Sequence, residues 1–261
     1  MSVPLLKFHQ ATVILGGARA LDSITTTIGS GENVAIIGPN GSGKSTLIKL
    51  ITRELYPQVI NGEIPVEILG ESAWDIFKLR SLFGIVSADL QDFFRRQMSG
   101  LDAVLSGFFG SVGLYPHHEV TEEMKARAEE LLHFLEISHL ASKNMTAMST
   151  GEARRMLIAR ALVHSPRALI LDEPSNGLDP YAARSFADSL RKIARTGDSV
   201  ILVTHHLPDI FPEISRVIML KNGRIFADGP KREILTSELL SELFATPVQV
   251  VARNQYYHLM I

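Results

Sequence analysis

The stretch Gly38-Pro39-Asn40-Gly41-Ser42-Gly43-Lys44-Ser45-Thr46 spaces its glycines, its lysine and its hydroxyls as a polyphosphate requires. Glycines let consecutive backbone N–H groups turn inward as an anion nest. A helix beginning here adds unpaired donors and the positive end of its dipole. Lys44 has the reach for β- and γ-phosphates, and the Ser45 hydroxyl suits Mg²⁺. The pattern G-x-x-x-x-G-K-[ST] is specific when a strand precedes it and a helix follows. Here the apolar run Asn33–Ile37 precedes it and Leu47-Ile48-Lys49-Leu50-Ile51 follows.

A second chemical pair stands far downstream. Leu169-Ile170-Leu171 runs into Asp172-Glu173 and then Pro174. An Asp at a strand end can serve Mg²⁺, and the next acid can position and deprotonate a water. Between the two lies Met148-Ser149-Thr150-Gly151-Glu152, leading into the helical run Met156–Leu162. Ser149-x-x-Glu152 also reads as a helix-capping box, which is compatible with an anion at that helix N-terminus. Further on stand Gly177-Leu178-Asp179 and, after the run Val200–Val203, Thr204-His205-His206.

The elements that must carry these residues alternate β-rich runs with helical patterns, the rhythm of an α/β domain. Runs 33–37, 83–86, 168–171 and 199–203 read as buried parallel strands. Segments 3–28 and 216–228, punctuated by Gly16-Gly17 and Asn222-Gly223, read as antiparallel strands at a sheet edge or in a second small sheet. Residues 92–147 lack strand patterns and contain an amphipathic helix from Thr121 to Leu135, so they read as a helical insertion. Residues 246–261 suggest a last strand pair after helices near 231–245. The expectation is one domain over 1–261: an α/β core with a β subdomain from 1–91 and 148–261, and the helical subdomain 92–147.

Composition narrows the function classes. The 261 residues are 46% hydrophobic and 21% charged, which excludes disorder and collagen-like structure. Lys+Arg 26 against Asp+Glu 28 gives net −2, so no basic surplus points to nucleic acid. With no cysteine, thiol catalysis and cysteine-ligated metals are excluded. No apolar stretch reaches the ~18 residues of a bilayer span, and Met1–Lys7 does not read as a secretory signal. A cytoplasmic location is expected.

In order and spacing these motifs closely resemble the ATP-binding-cassette (ABC) ATPases over nearly the whole chain, most closely the stand-alone importer-type subunits for siderophores, cobalamin or molybdate. The resemblance implies a P-loop NTPase core with a parallel sheet, an antiparallel β edge subdomain and a helical insertion. It implies ATP and Mg²⁺ as ligands and ATP hydrolysis coupled to transport. Partners would be a second copy or a paired ABC subunit, and an integral-membrane permease on whose cytoplasmic face the chain sits. A soluble ABC ATPase in assembly or regulation, of the iron–sulfur-assembly kind, is the rival reading. Residue by residue, Ser149 and Gly151 would contact the γ-phosphate of a nucleotide on the partner subunit. Asp172 would serve Mg²⁺, Glu173 would be the general base, and Asp179 would cross the dimer interface. His205 would sense the γ-phosphate, with His206 simply exposed, and Gln91 would be the coupling-loop glutamine on the metal.

The chain also departs from the family pattern. Leu-Ser-Gly-Gly-Gln becomes Met148-Ser149-Thr150-Gly151-Glu152, which brings an acid near the site. Ala88 stands where the glutamine usually follows the strand, so Gln91 competes with a reading as an ordinary surface residue. Leu15, after Ile14, replaces the aromatic that stacks on adenine, so weaker base selectivity is expected. Arg95-Arg96 and Arg154-Arg155 read as solvated charges. Phe93, Phe94, Phe108 and Phe109 read first as core and second as contacts to a membrane partner.

Overall fold

The computed structural model describes residues 3–87, 90, 93–94 and 96–260. At its centre lies a six-stranded sheet in the order β5-β6-β7-β3-β8-β9. The strands are β3 (Val34–Ile37), β5 (Phe83–Ser87), β6 (Ala168–Asp172), β7 (Ser199–Thr204), β8 (Arg216–Lys221) and β9 (Arg224–Pro230). Neighbours are parallel from β5 through β8, and β9 alone runs antiparallel, to β8.

Both faces of this sheet are covered, which explains why its strands are apolar without alternation. Ala35, Ile37, Leu169, Leu171, Val200 and Leu202 enter one hydrophobic core. Val34, Ile36, Ala168, Ile170, Ile201 and Val203 enter the other. The first core is roofed by helices. The second is closed by α1 (Lys44–Ile51), through Leu47, Ile48, Leu50 and Ile51, and by a small antiparallel sheet. That sheet has the order β2-β1-β4, from β1 (Leu6–Leu15), β2 (Ala18–Ile28) and β4 (Val66–Ile68).

The segment 216–228 corrects the sequence reading in part. Its Asn222-Gly223 hairpin does lie at a sheet edge, but β8 is also parallel to β3, with Val34 opposite Arg216. Three-residue β4 was not foreseen, because so short a run carries no period. The helices include α2 (Ile76–Leu82), α3 (Gly100–Leu105) and α4 (Glu122–Phe134). Thr121 caps α4, and Ala128, Leu131 and Leu132 are its buried face. Then follow α5 (Thr150–Leu162), α6 (Pro180–Ala194), α7 (Lys231–Ile234) and α8 (Ser237–Phe244). The hairpin of β10 (Gln249–Arg253) and β11 (Tyr256–Met260) ends the fold, as the sequence suggests. Among the described residues no helix is long and apolar enough to cross a membrane.

Phe94 is fully buried beside Arg160, Phe108 and Phe109 are half-buried, and Phe93 is exposed. Only Phe94 among these four is thus fully in the core.

Candidate nucleotide site

Strands β6, β7 and β3 are adjacent and parallel, so their C-terminal ends form one edge. Ligands of open α/β sheets bind at that edge. Each strand delivers one group there: the loop Gly38–Thr46 after β3, Asp172-Glu173 at the end of β6, and His205 after β7.

The loop is shaped by sterics. Gly43 caps α1 at φ 105°, and a Cβ on it would lie 2.8 Å from both the Ala20 carbonyl oxygen and Leu21 Cδ2. A Cβ at Gly38 would lie 2.3 Å from the Leu220 carbonyl oxygen. Only glycine fits either position. Lys44 is buried, and its Nζ donates to the carbonyls of Gly38 at 2.8 Å and Pro39 at 3.2 Å. Ser45, Asn40 and Gly41 are exposed, Pro39 and Thr46 are half-buried, and Ser42 Oγ is buried without a hydrogen-bond partner. A buried hydroxyl lacking a partner is costly, and together with the exposed donors of the loop it marks a site made for an anion.

Glu173 adopts φ 48°, a left-handed conformation that costs an L-residue about 1–2 kcal/mol. Its N–H still donates to the Val203 carbonyl at 2.8 Å, tying it to β7. Its Oε1 lies 3.7 Å from Lys44 Nζ, and its Oε2 lies 2.7 Å from His205 Nδ1. The second pair does not align as a hydrogen bond, and neither atom has another such partner. A carboxylate, an ammonium and an imidazole therefore converge from three strands. Asp172 stands half-buried at the end of β6, paired in register with Val203.

A second group assembles on helix N-termini. Ser149 caps α5, its Oγ accepting from Glu152 N–H at 3.2 Å while Glu152 Oε2 accepts from Ser149 N–H at 2.7 Å. Glu152 also takes Lys143 Nζ at 2.8 Å, and that bond holds its carboxyl below the usual range. The acid that replaces glutamine in the motif is thus occupied within its own chain. Asp179 caps α6 through Ala182 N–H at 2.9 Å. A Cβ at Gly151 would sit 2.7 Å from Ala182 Cβ, so the glycine lets the two helix starts touch. No hydrogen bond or ion pair joins Ser149, Gly151 or Asp179 to Gly38–Thr46. The chain therefore carries the two groups separately.

Two residues that organise the loops had no sequence signal. Asp209 Oδ2 accepts from Thr204 Oγ1 and from Ser175 Oγ, each at 2.7 Å, joining the loops after β7 and β6. Burial pushes its carboxyl up from the usual range. Arg154 is buried rather than solvated, and its guanidinium donates to the carbonyls of Pro174 and of Asn176, the latter at 3.0 Å. Those partners lie some twenty residues along the chain, beyond any local pattern. Gln91 and Arg95 lie outside the described residues. Ile14 and Leu15 are exposed at the Gly16-Gly17 turn.

The fold and this edge define a P-loop nucleotide-binding ATPase domain. Comparison with known proteins gives the family. A family model described as ABC transporter matches residues 21–176. The ABC transporter ATP-binding protein YlmA of Bacillus subtilis is 34% identical over 254 residues, covering 95% of this chain and 93% of that protein. The hemin import ATP-binding protein HmuV of Nitrobacter winogradskyi is 30% identical over 271 residues, covering 97% of this chain and 91% of that protein. Among solved structures, the ATP-binding cassette MJ0796, dimeric in a post-hydrolysis state with ADP and Pi, superimposes with a TM-score of 0.66 at 26% identity. That match covers 86% of this chain and 98% of the other. The chain belongs to the ATP-binding, ATP-hydrolysing subunits of ABC transporters.

Proposed function

We propose that two copies of this chain, or this chain and a paired subunit, clamp ATP head to tail and drive a separate integral-membrane permease from its cytoplasmic face. The convergence of Lys44, Glu173 and His205 at one sheet edge carries the reading. Gly38–Thr46 of one subunit holds the phosphates through its backbone N–H groups and Lys44, which exchanges its carbonyl partners for phosphate oxygens. Ser149 and Gly151 of the other subunit meet the γ-phosphate at a helix N-terminus, and Asp179 crosses the interface beside them. Two-fold symmetry makes two such sites in one interface. In support, among the described residues no hydrogen bond or ion pair joins the two groups within one chain, and Ser149 is exposed.

Ser45 and Asp172 are the residues to hold Mg²⁺, and Gln91 is the third candidate. The exposed hydroxyl of Ser45 and the carboxylate of Asp172 are the hard oxygen donors this ion takes. When bound, the ion neutralises phosphate charge.

Glu173 accepts a proton from the attacking water, which adds to the γ-phosphorus as the bond to the leaving ADP oxygen breaks. His205, 2.7 Å from Glu173, orients the base and donates towards the γ-phosphate. Loss of the γ-phosphate removes the contact to Ser149 and Gly151, and the dimer opens. Purified chain should hydrolyse ATP, and membranes should retain it through a co-purifying integral protein. Hydrolysis without membrane association would overturn the transport role, and no hydrolysis would overturn the site.

A further inference from the structure

We propose that Glu173, His205 and His206 form a binding site for a divalent transition-metal ion of the zinc class, and that filling it arrests hydrolysis. The arrest rests on the role proposed above for Glu173; the metal site itself does not.

Glu173, His205 and His206 each offer a ligand atom, and all three atoms lie within 4.8 Å of one another. Around a tetrahedral ion with bonds of about 2.0–2.1 Å, neighbouring donors sit roughly 3.3 Å apart, so small side-chain rotations close the set. A second observation points the same way. Glu173 Oε2 and His205 Nδ1 are buried, 2.7 Å apart, and lack hydrogen-bond partners. An ion between them satisfies both.

The third ligand is already placed. The His206 ring stands 3.9 Å from that of His205. The His206 backbone N–H donates to Thr204 Oγ1 at 3.0 Å, and the ring Nε2 lies 3.2 Å from Asn176 Oδ1, an outer partner that fixes the ring. Lys44 opposes a cation here, but it faces Oε1, the other oxygen of the carboxylate, and is held by two carbonyls. Two imidazoles with one carboxylate suit zinc, nickel or copper, whereas Mg²⁺ takes oxygen. The site is thus chemically distinct from that of the nucleotide's ion.

Spectroscopy with Co²⁺ on the nucleotide-free full chain tests the site. One ion per chain should bind, giving the intense visible bands of four-coordinate cobalt, and Zn²⁺ should displace it. His206→Ala should weaken binding at least about tenfold, since even outer partners are worth 10–100-fold. Replacing His117 and His118, the other adjacent imidazole pair, should change nothing. In a second assay, buffered free Zn²⁺ should inhibit Mg-ATP hydrolysis by the unaltered chain. His206→Ala should keep that hydrolysis and lose the inhibition. Absence of the bands, unchanged cobalt affinity in His206→Ala, or their loss with His117 and His118 would overturn the site. Binding without inhibition would overturn the arrest. A metal-free chain that fails to hydrolyse ATP would instead refute the reading of Glu173, and the cobalt spectrum would stand.

Discussion

Replacing Gly151 by alanine probes the contact that couples the starts of α5 and α6. The added Cβ would lie 2.7 Å from Ala182 Cβ, against about 3.5–4.0 Å for a relaxed carbon contact. The shortfall is about 1 Å, and no flexible side-chain end is there to yield. Overpacking of this kind costs about 1–3 kcal/mol. A chain of this size loses roughly 2–4 °C of Tm per kcal/mol, so calorimetry should register a fall of several degrees. Hydrolysis should fall with it, because Ser149 and Asp179 cap the two displaced helices. Adding Ala182→Gly removes the clash. Alanine gains about 1 kcal/mol of helix preference at 151 and glycine forfeits a similar amount at 182, so the double variant should match the parent in Tm and in hydrolysis. Gly151→Ala with unchanged Tm, or a double variant as unstable as the single, would refute the steric argument.

Lys231 gives a pH signature. Burial pulls its ammonium down to about 8 while its Nζ donates to the carbonyls of Phe211 and Pro212. The unfolded chain holds that proton up to about 10.5. Between these values unfolding takes up a proton, so this group adds stability as pH rises and withdraws it as pH falls towards 8. Tm of the parent relative to Lys231→Met should therefore climb from pH 8 to 10; a flat difference would contradict it. Arg154→Met should strand the carbonyls of Pro174 and Asn176 and cost about 1–3 kcal/mol for each left dry, read by denaturant unfolding. If the adenine rests on exposed Leu15 and Ile14, with no aromatic to stack on it, ATP and GTP should bind within a hundredfold of each other by calorimetry.

The chemistry-bearing motifs were legible because each is local. A strand, a glycine-rich turn and a helix start occupy consecutive residues at 33–51, and the Asp172-Glu173 pair ends an apolar run. The parallel strands 33–37, 83–86, 168–171 and 199–203 were legible for the same reason, since burial on both faces leaves continuous apolar runs. What stayed hidden is non-local. Arg154 reads as one of two charges on a helix, and only folding brings it under the loop 174–176. Asp209 binds Ser175 from 34 residues away, and no periodicity encodes that meeting. β8 looked like half of an edge hairpin because Asn222-Gly223 announces the turn, while its parallel pairing with β3 depends on a partner some 180 residues earlier. His206 followed His205 without a pattern to mark it, and its place beside Glu173 came from the geometry alone.

Light scattering on Glu173→Gln tests the sandwich directly. The amide keeps the shape of the carboxylate and cannot take a proton, so hydrolysis should drop by about 10²–10⁴ while ATP stays bound. With ATP and Mg²⁺ the particle should have twice the 28.8 kDa chain mass, and with ADP the single mass. A variant that binds ATP under these conditions and remains at single mass would contradict it.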